Sequence, residues 1–127
     1  MASDRRTREY LRSLARPKAA RLRVEQVVDG HLVLVRVTGE LDNVTAGMLS
    51  AKLADAEAAV TPPAPVVVDL TGVNFLGAAG LSVLVEHHER CVELGGALLI
   101  VPGSKAVRRA MAVTGLDARL VLIPAPW

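Results

Sequence analysis

Asp69-Leu70-Thr71-Gly72-Val73-Asn74-Phe75-Leu76-Gly77-Ala78-Ala79-Gly80-Leu81-Ser82-Val83-Leu84-Val85 decides how this chain is read. The residues entering it, Pro65-Val66-Val67-Val68-Asp69-Leu70, form an apolar run with a single carboxylate, the pattern of a strand covered on both faces. Small residues and Asn74 then break the run, which predicts a loop over residues 74–80. From about residue 79 to 94 apolar residues recur at helical spacing, and Gly95-Gly96 closes the helix. A buried strand, a tight loop and a helix is the repeating unit of an α/β fold.

Working outward, residues 97–101 read as a second buried strand. Ser104 caps a helix that runs to Thr114, where Gly115 ends it and places Leu116 to fold back on Met111. Residues 120–123 make a last short strand. Upstream, residues 22–28 and 31–37 flank Asp29-Gly30, a two-residue hairpin signal. Pairing about that turn puts Leu22, Val24, Val28, Val33, Val35 and Val37 on one face. Arg23, Glu25, Val27, Leu32 and Arg36 lie on the other. After Gly39-Glu40-Leu41, either Asp42 or Asn43 can cap a helix with Ala46, Leu49, Leu53, Ala56 and Val60 inward and Lys52, Asp55 and Glu57 outward. Thr61-Pro62-Pro63-Ala64-Pro65 stops it. The order is β-β-α-β-α-β-α-β, a hairpin followed by right-handed crossovers and a mostly parallel sheet with helices packed on it.

A chain of 127 residues suits one domain, and an apolar share of 51% with 2% aromatic residues implies an Ala/Val/Leu core. The lone cysteine, Cys91, excludes an internal disulfide and a multi-cysteine zinc cluster. No stretch reaches the roughly 20 apolar residues a bilayer span needs. The longest charge-free run, residues 70–85, is broken by Thr71, Gly72, Asn74, Gly77 and Gly80. With no signal-peptide core, the expectation is a soluble cytoplasmic protein. Charge is uneven: residues 1–23 hold eight basic and two acidic side chains, the remainder seven basic and eleven acidic. Residues 1–20 therefore read as a basic extension, a partly disordered tail or short helix around Tyr10, Leu11 and Leu14. Residues 21–127 form the domain. Solvation of such a tail is a simpler reading than contact with an anionic surface, and no direct nucleic-acid contact is expected.

The segment around Gly77-Ala78-Ala79-Gly80, with Gly39-Glu40-Leu41-Asp42-Asn43-Val44-Thr45 upstream and the same element order, resembles the STAS domain of bacterial anti-sigma factor antagonists. The resemblance covers roughly residues 22–123. It implies a bacterial regulator that binds an anti-sigma factor of the serine-kinase type and so releases a sigma factor for transcription. In that family the loop commonly reads Asp-Ser-Ser-Gly or Asp-Ser-Ala-Gly, and phosphorylation of a serine there blocks docking. The acceptor position aligns with Ala79, which cannot be phosphorylated, so binding is expected to be constitutive or differently controlled. Family members usually add a C-terminal helix after the last strand, whereas this sequence stops at Trp127. The leader around residues 10–14 is the expected cover for the surface so exposed.

The partner face expected from the resemblance comprises Asp42, Asn43, Thr45, Leu76, Gly77, Ala78, Ala79, Gly80, Ser82 and Glu86, with Phe75 either on that face or in the core. Thr71 and Ser82 are the other hydroxyls near the tip; Thr71 reads as a turn residue and Ser82 as exposed. His87 and His88 point about 100° apart and cannot share a metal; His88 falls at core spacing and His87 beside Glu86 faces water. Cys91 reads as a small core residue. Asp69, Asp42 and Glu40 read as local caps rather than a metal cluster. No nucleophile elbow, Walker-type lysine loop or dinucleotide fingerprint is present, so no enzyme, cofactor or metal is expected. Alternatives of other classes are a scaffold or accessory subunit in a sensory or transporter complex, and a small-molecule sensor with a pocket near the carboxyl ends of the strands. A homodimer stays open.

Overall fold

The computed structural model describes residues 5–15 and 21–127. Helix α1 (Arg5–Ala15) precedes β1 (Leu22–Asp29), β2 (Leu32–Leu41), α2 (Ala46–Ala59), β3 (Val66–Leu76), α3 (Ala78–Glu93), β4 (Leu98–Val101), α4 (Lys105–Thr114), a 3-10 turn (Leu116–Ala118) and β5 (Val121–Leu122). The five strands lie side by side in chain order, β1 antiparallel to β2 and every later pair parallel. The mixed α/β architecture with a hairpin followed by parallel strands is the one the sequence implies.

Alternation within the strands fixes where the core sits. Val33, Val35 and Val37 of β2, Val66, Val68 and Leu70 of β3, and Leu98 and Ile100 of β4 are buried under the helices. They meet Leu49, Leu53 and Ala56 of α2, Leu81, Leu84 and Cys91 of α3, and Val107 and Met111 of α4. The opposite face carries Arg23, Glu25, Leu34 and Arg36, together with Val67 and Asp69. There Arg36 Nε donates to Asp69 Oδ2 at 3.3 Å, and Asp69 Oδ1 accepts from Thr71 N and Oγ1 at 2.9 and 2.7 Å. Thr71 bonds Asp69 as a turn residue would, but it lies within β3 and not at the strand end expected for it.

Three expectations need correction. The hairpin pairs Asp29 with Leu32, so its two turn residues are Gly30 and His31, one position later than Asp29-Gly30. Only Gly30 has a positive φ, of 63°, which a single glycine satisfies without asking the same of Asp29. At this tip Val28 pairs with Val33 but is 59% exposed, so the expected inner face is not buried as far as the turn. Secondly, β3 does not end near Leu70: it runs to Leu76, and the expected loop over 74–80 shrinks to Gly77. The extension is paired with β2 through Thr38, Gly39, Glu40 and Leu41, after register shifts between Arg36 and Thr38 and between Gly39 and Glu40. Gly39 makes the second shift compatible with β1: its φ is 110°, and a β-carbon there would lie 2.1 Å from the Arg21 carbonyl oxygen. Thirdly, Glu57 is not on the wet side of α2, as detailed below.

The ends of α4 follow the sequence, whereas α2 starts with Thr45 at its N-cap, so Asp42 and Asn43 lie before the helix and Asp42 holds the preceding turn instead. Ser104 Oγ accepts from Val107 N at 3.2 Å, and Gly115 ends α4 in the left-handed region at φ 75°. Leu116 is partly buried against the core. The proposed cover by Tyr10 and Leu14 lies outside the described side chains, and Leu11 is 55% exposed. Among the described residues no helix is long and apolar enough to cross a membrane.

Candidate functional site

Two turns meet at the carboxyl end of the sheet. The turn from β2 into α2 is held by Asp42 and Thr45. Asp42 Oδ1 accepts from Val44 N at 2.9 Å and from Thr45 N at 3.0 Å. In return Asp42 N donates to Thr45 Oγ1 at 3.0 Å, and Thr45 Oγ1 donates to the Glu40 carbonyl at 2.6 Å. The other Asp42 oxygen takes Arg21 Nη1 at 2.9 Å, with both side chains almost fully buried. Burial alone would raise the Asp42 carboxyl. The N–H donors of Thr45 and Val44 and the Arg21 guanidinium together outweigh it and hold the group below its ordinary value.

The second turn, from β3 into α3, is tied to the first by Gly77 N donating to the Leu41 carbonyl at 2.8 Å. Neither Gly77 nor Gly80 uses a positive φ; the requirement is room. A β-carbon on Gly80 would stand 2.8 Å from Leu76 Cδ1 and 3.0 Å from Leu41 Cβ, so the first turn of α3 lies directly against both strand ends. This contact holds the helix tip at a fixed height above the Asp42 turn.

The expected face is thereby sorted into two groups. Asn43, Ala78, Ser82 and Glu86 are exposed, and Gly77 and Ala79 half-buried. Asp42, Thr45, Leu76 and Gly80 are buried; they set the shape of the two turns and present no side chain to a partner. Val44 and Phe75, 41% and 42% exposed, join the outer group, so the aromatic ring is on the face and not in the core. The outcome is a small, largely uncharged knob: Asn43 and Val44 from one turn, Phe75, Ala78 and Ala79 from the other, with Ser82 and Glu86 one and two turns along α3.

Behind the knob, α2 and α3 are joined by a polar cluster that the sequence reading missed. His87 is fully buried; its Nδ1 bonds Glu57 Oε1 at 2.5 Å and its Nε2 bonds Ser50 Oγ at 2.9 Å. Arg90 Nη1 reaches Glu57 Oε2 at 3.6 Å. His87, expected to face water, is therefore an interior residue, whereas His88 is half-buried as its core spacing implies. His87 follows Leu84 by three residues and precedes Cys91 by four, and Glu57 follows Leu53 by four. Both spacings put them on the inner stripes, and each supplies the partner the other needs. The Ser50–His87–Glu57 order is that of a nucleophile, base and orienting acid. Ser50, however, lies past the first turn of α2, where backbone N–H groups are committed to the helix and offer no oxyanion donors. The cluster acts as a clamp between helices. Cys91 is buried beside it; burial first, and then the Glu57 carboxylate, push its thiol up to about 11. Among the described residues no three His, Cys, Asp or Glu side chains gather into a metal site.

Residues 23–125 match the family model of the STAS domain. The chain belongs to the STAS domain family. Among curated relatives it is 30% identical over 95 residues to the putative anti-anti-sigma factor Rv2638 of Mycobacterium tuberculosis, covering 75% of this chain and 64% of that protein. It is 32% identical over 92 residues to the anti-sigma-F factor antagonist RsfA of the same species, covering 72% of each. The crystal structure of an anti-sigma factor antagonist from Mycobacterium paratuberculosis superposes with a TM-score of 0.71 at 31% identity, over 87% of this chain and 91% of that one. This STAS chain therefore spans just under two thirds of the first of these relatives and nine tenths of the solved one.

Proposed function

We propose that this STAS protein is an anti-sigma factor antagonist. It docks an anti-sigma factor of the serine-kinase type through the knob at the tip of α3 and so frees a sigma factor. The observation that carries the reading is the exposed patch of Asn43, Val44, Phe75 and Ala78, with half-buried Ala79 beside it, on a two-turn platform, in a chain similar to proteins named as such antagonists. A contact centred on an aromatic ring and small side chains, with polar groups at its edge, has the composition of a protein-binding surface. Its chemistry is binding rather than catalysis.

Ala79 gives the proposal its particular form. A phosphoryl group at this position would bring nearly two negative charges to a helix N-terminus and to an apolar contact. The alanine methyl can accept none, so docking at this position is permanently uncharged and control lies elsewhere. Titration of the full chain into anti-sigma kinases from the same genome is the direct test. Saturable binding that releases the cognate sigma factor supports the reading. Failure to bind any of them, alongside capture of a transporter or a sensory assembly, would replace it with a scaffold role.

A further inference from the structure

Beside the knob, on the side facing α4, lies an open hollow of about 660 Å³. Its lining is largely apolar, with Leu81 buried and Phe75 and Val113 exposed, and Asn74 and Thr114 are its uncharged polar side chains. Its rim carries three cations, Arg6 of α1 and Lys105 and Arg109 of α4. Among the described residues no carboxylate lines it, and these three side chains form no ion pair. The adjoining hollow of about 420 Å³, on the far side of Ala78, is different: there Arg119 pairs with Glu89 at 3.0 Å, and Glu86 with Arg90 at 3.3 Å. Of these two hollows, only the first carries cations without a paired carboxylate among the described residues.

Helix electrostatics sharpen the contrast. Arg6 is the second residue of α1, Lys105 the first residue of α4 and Arg109 lies one turn on, and neither helix has an acid in its first turn. Cations at the positive end of a helix are unfavourable for the fold. The first turn of α3 at Ala78 borders the same hollow, so three helix N-termini and three cations add to one positive field. An arrangement that opposes helix stability at two separate helices is accounted for if an anion occupies the space between them.

We propose that this hollow binds a small organic anion with an aliphatic body. Its carboxylate or phosphate head pairs with Lys105, Arg109 and Arg6, and its chain lies over Leu81, Phe75 and Val113. The volume fits a ligand of that size. The mostly aliphatic lining, with a single aromatic ring and only Asn74 and Thr114 as uncharged hydrogen-bonding side chains, favours a hydrocarbon over a nucleobase. The site goes beyond the docking proposal and binds its ligand without a partner present. If docking also holds, the shared Ala78 places the bound ligand next to the knob.

The test is calorimetric titration of the full chain with decanoate and decyl phosphate below their micelle concentrations. Decanol serves as the uncharged control and inorganic phosphate as the headgroup alone. Both amphiphilic anions should bind with one site per chain, and each control at least about tenfold more weakly. The Lys105→Ala/Arg109→Ala variant should lose about tenfold per cation removed, and Lys105→Arg/Arg109→Lys should keep binding. Circular dichroism confirms that each variant is folded. No binding by the native chain, equal binding by the alanine variant, tighter binding of ATP than of decanoate, or sedimentation with phosphatidylglycerol vesicles while decanoate stays inert would each overturn the assignment.

Discussion

Replacing Asp42 by alanine should cost more than any other single change at the two turns. Asp42 accepts two backbone N–H bonds at 2.9 and 3.0 Å and pairs with Arg21 at 2.9 Å, the Arg21 side chain being only 3% exposed. Arg21 Nε already lacks a partner among the described residues, so Asp42→Ala strands a buried guanidinium with no anion. Breaking a buried pair from one side costs about 3–5 kcal/mol, which for a domain of this size is roughly 10–20 °C in Tm. Urea unfolding followed by circular dichroism measures it, with an unchanged m-value showing that the unfolded state is the same.

Two internal controls sharpen that prediction. Arg21→Met with Asp42→Ala removes both charges and should be more stable than Asp42→Ala alone, with a coupling of about 1 kcal/mol or more. The Asp42 carboxyl is held below its ordinary value of 3.8 in the fold, so its contribution is complete above that pH and is lost as pH falls through the lower folded value. The gap between native and Asp42→Ala protein should therefore be constant at neutral pH and narrow only below about pH 4. A loss under about 1 kcal/mol at pH 7, or a gap that changes between pH 6 and 8, would refute the reasoning.

Other predictions concern the interior of α2 and α3. Glu57→Gln removes the charge opposite His87 and Arg90 while keeping the shape, and should destabilise by about 1–3 kcal/mol. Ser50→Ala, touching only Nε2, should cost about 1 kcal/mol or less; chemical denaturation ranks the two, and the reverse order would contradict the clamp. Cys91, buried with its thiol pushed up to about 11, should react with a thiol reagent at pH 8 only after denaturation, and prompt labelling of native protein would show the helix pair to be open.

Much of this architecture was legible because local signals agreed. The proline run ended α2, Ser104 and Gly115 bracketed α4, and the valine run of β3 marked the central strand. What escaped detection depended on neighbours distant in sequence. Thr71, Gly72 and Asn74 look like loop residues, yet they extend β3 because β2 shifts register to stay beside them. Glu57 and His87 look like surface groups one at a time; each becomes an interior residue only because the other lies across the helix interface. The family-derived contact residues divided for the same reason. Asp42 and Thr45 complete a hydrogen-bonded turn within, whereas Asn43, Phe75, Ala78 and Ser82 are left outside. The basic hollow was invisible in the sequence, since Arg6 and Arg109 are brought together only by the fold.

Affinity of an anti-sigma kinase for the native chain and for Ala79→Asp, measured by titration under identical buffer conditions, tests the docking claim most directly. The substitution would place a negative charge on the half-buried methyl position at the tip of α3 while leaving Asp42, Gly80 and the helix clamp untouched. The account predicts tight binding by the native chain and a loss of about tenfold or more on substitution, with unchanged thermal stability. Equal affinity for both proteins would contradict it, because a partner indifferent to charge at that point does not contact the knob.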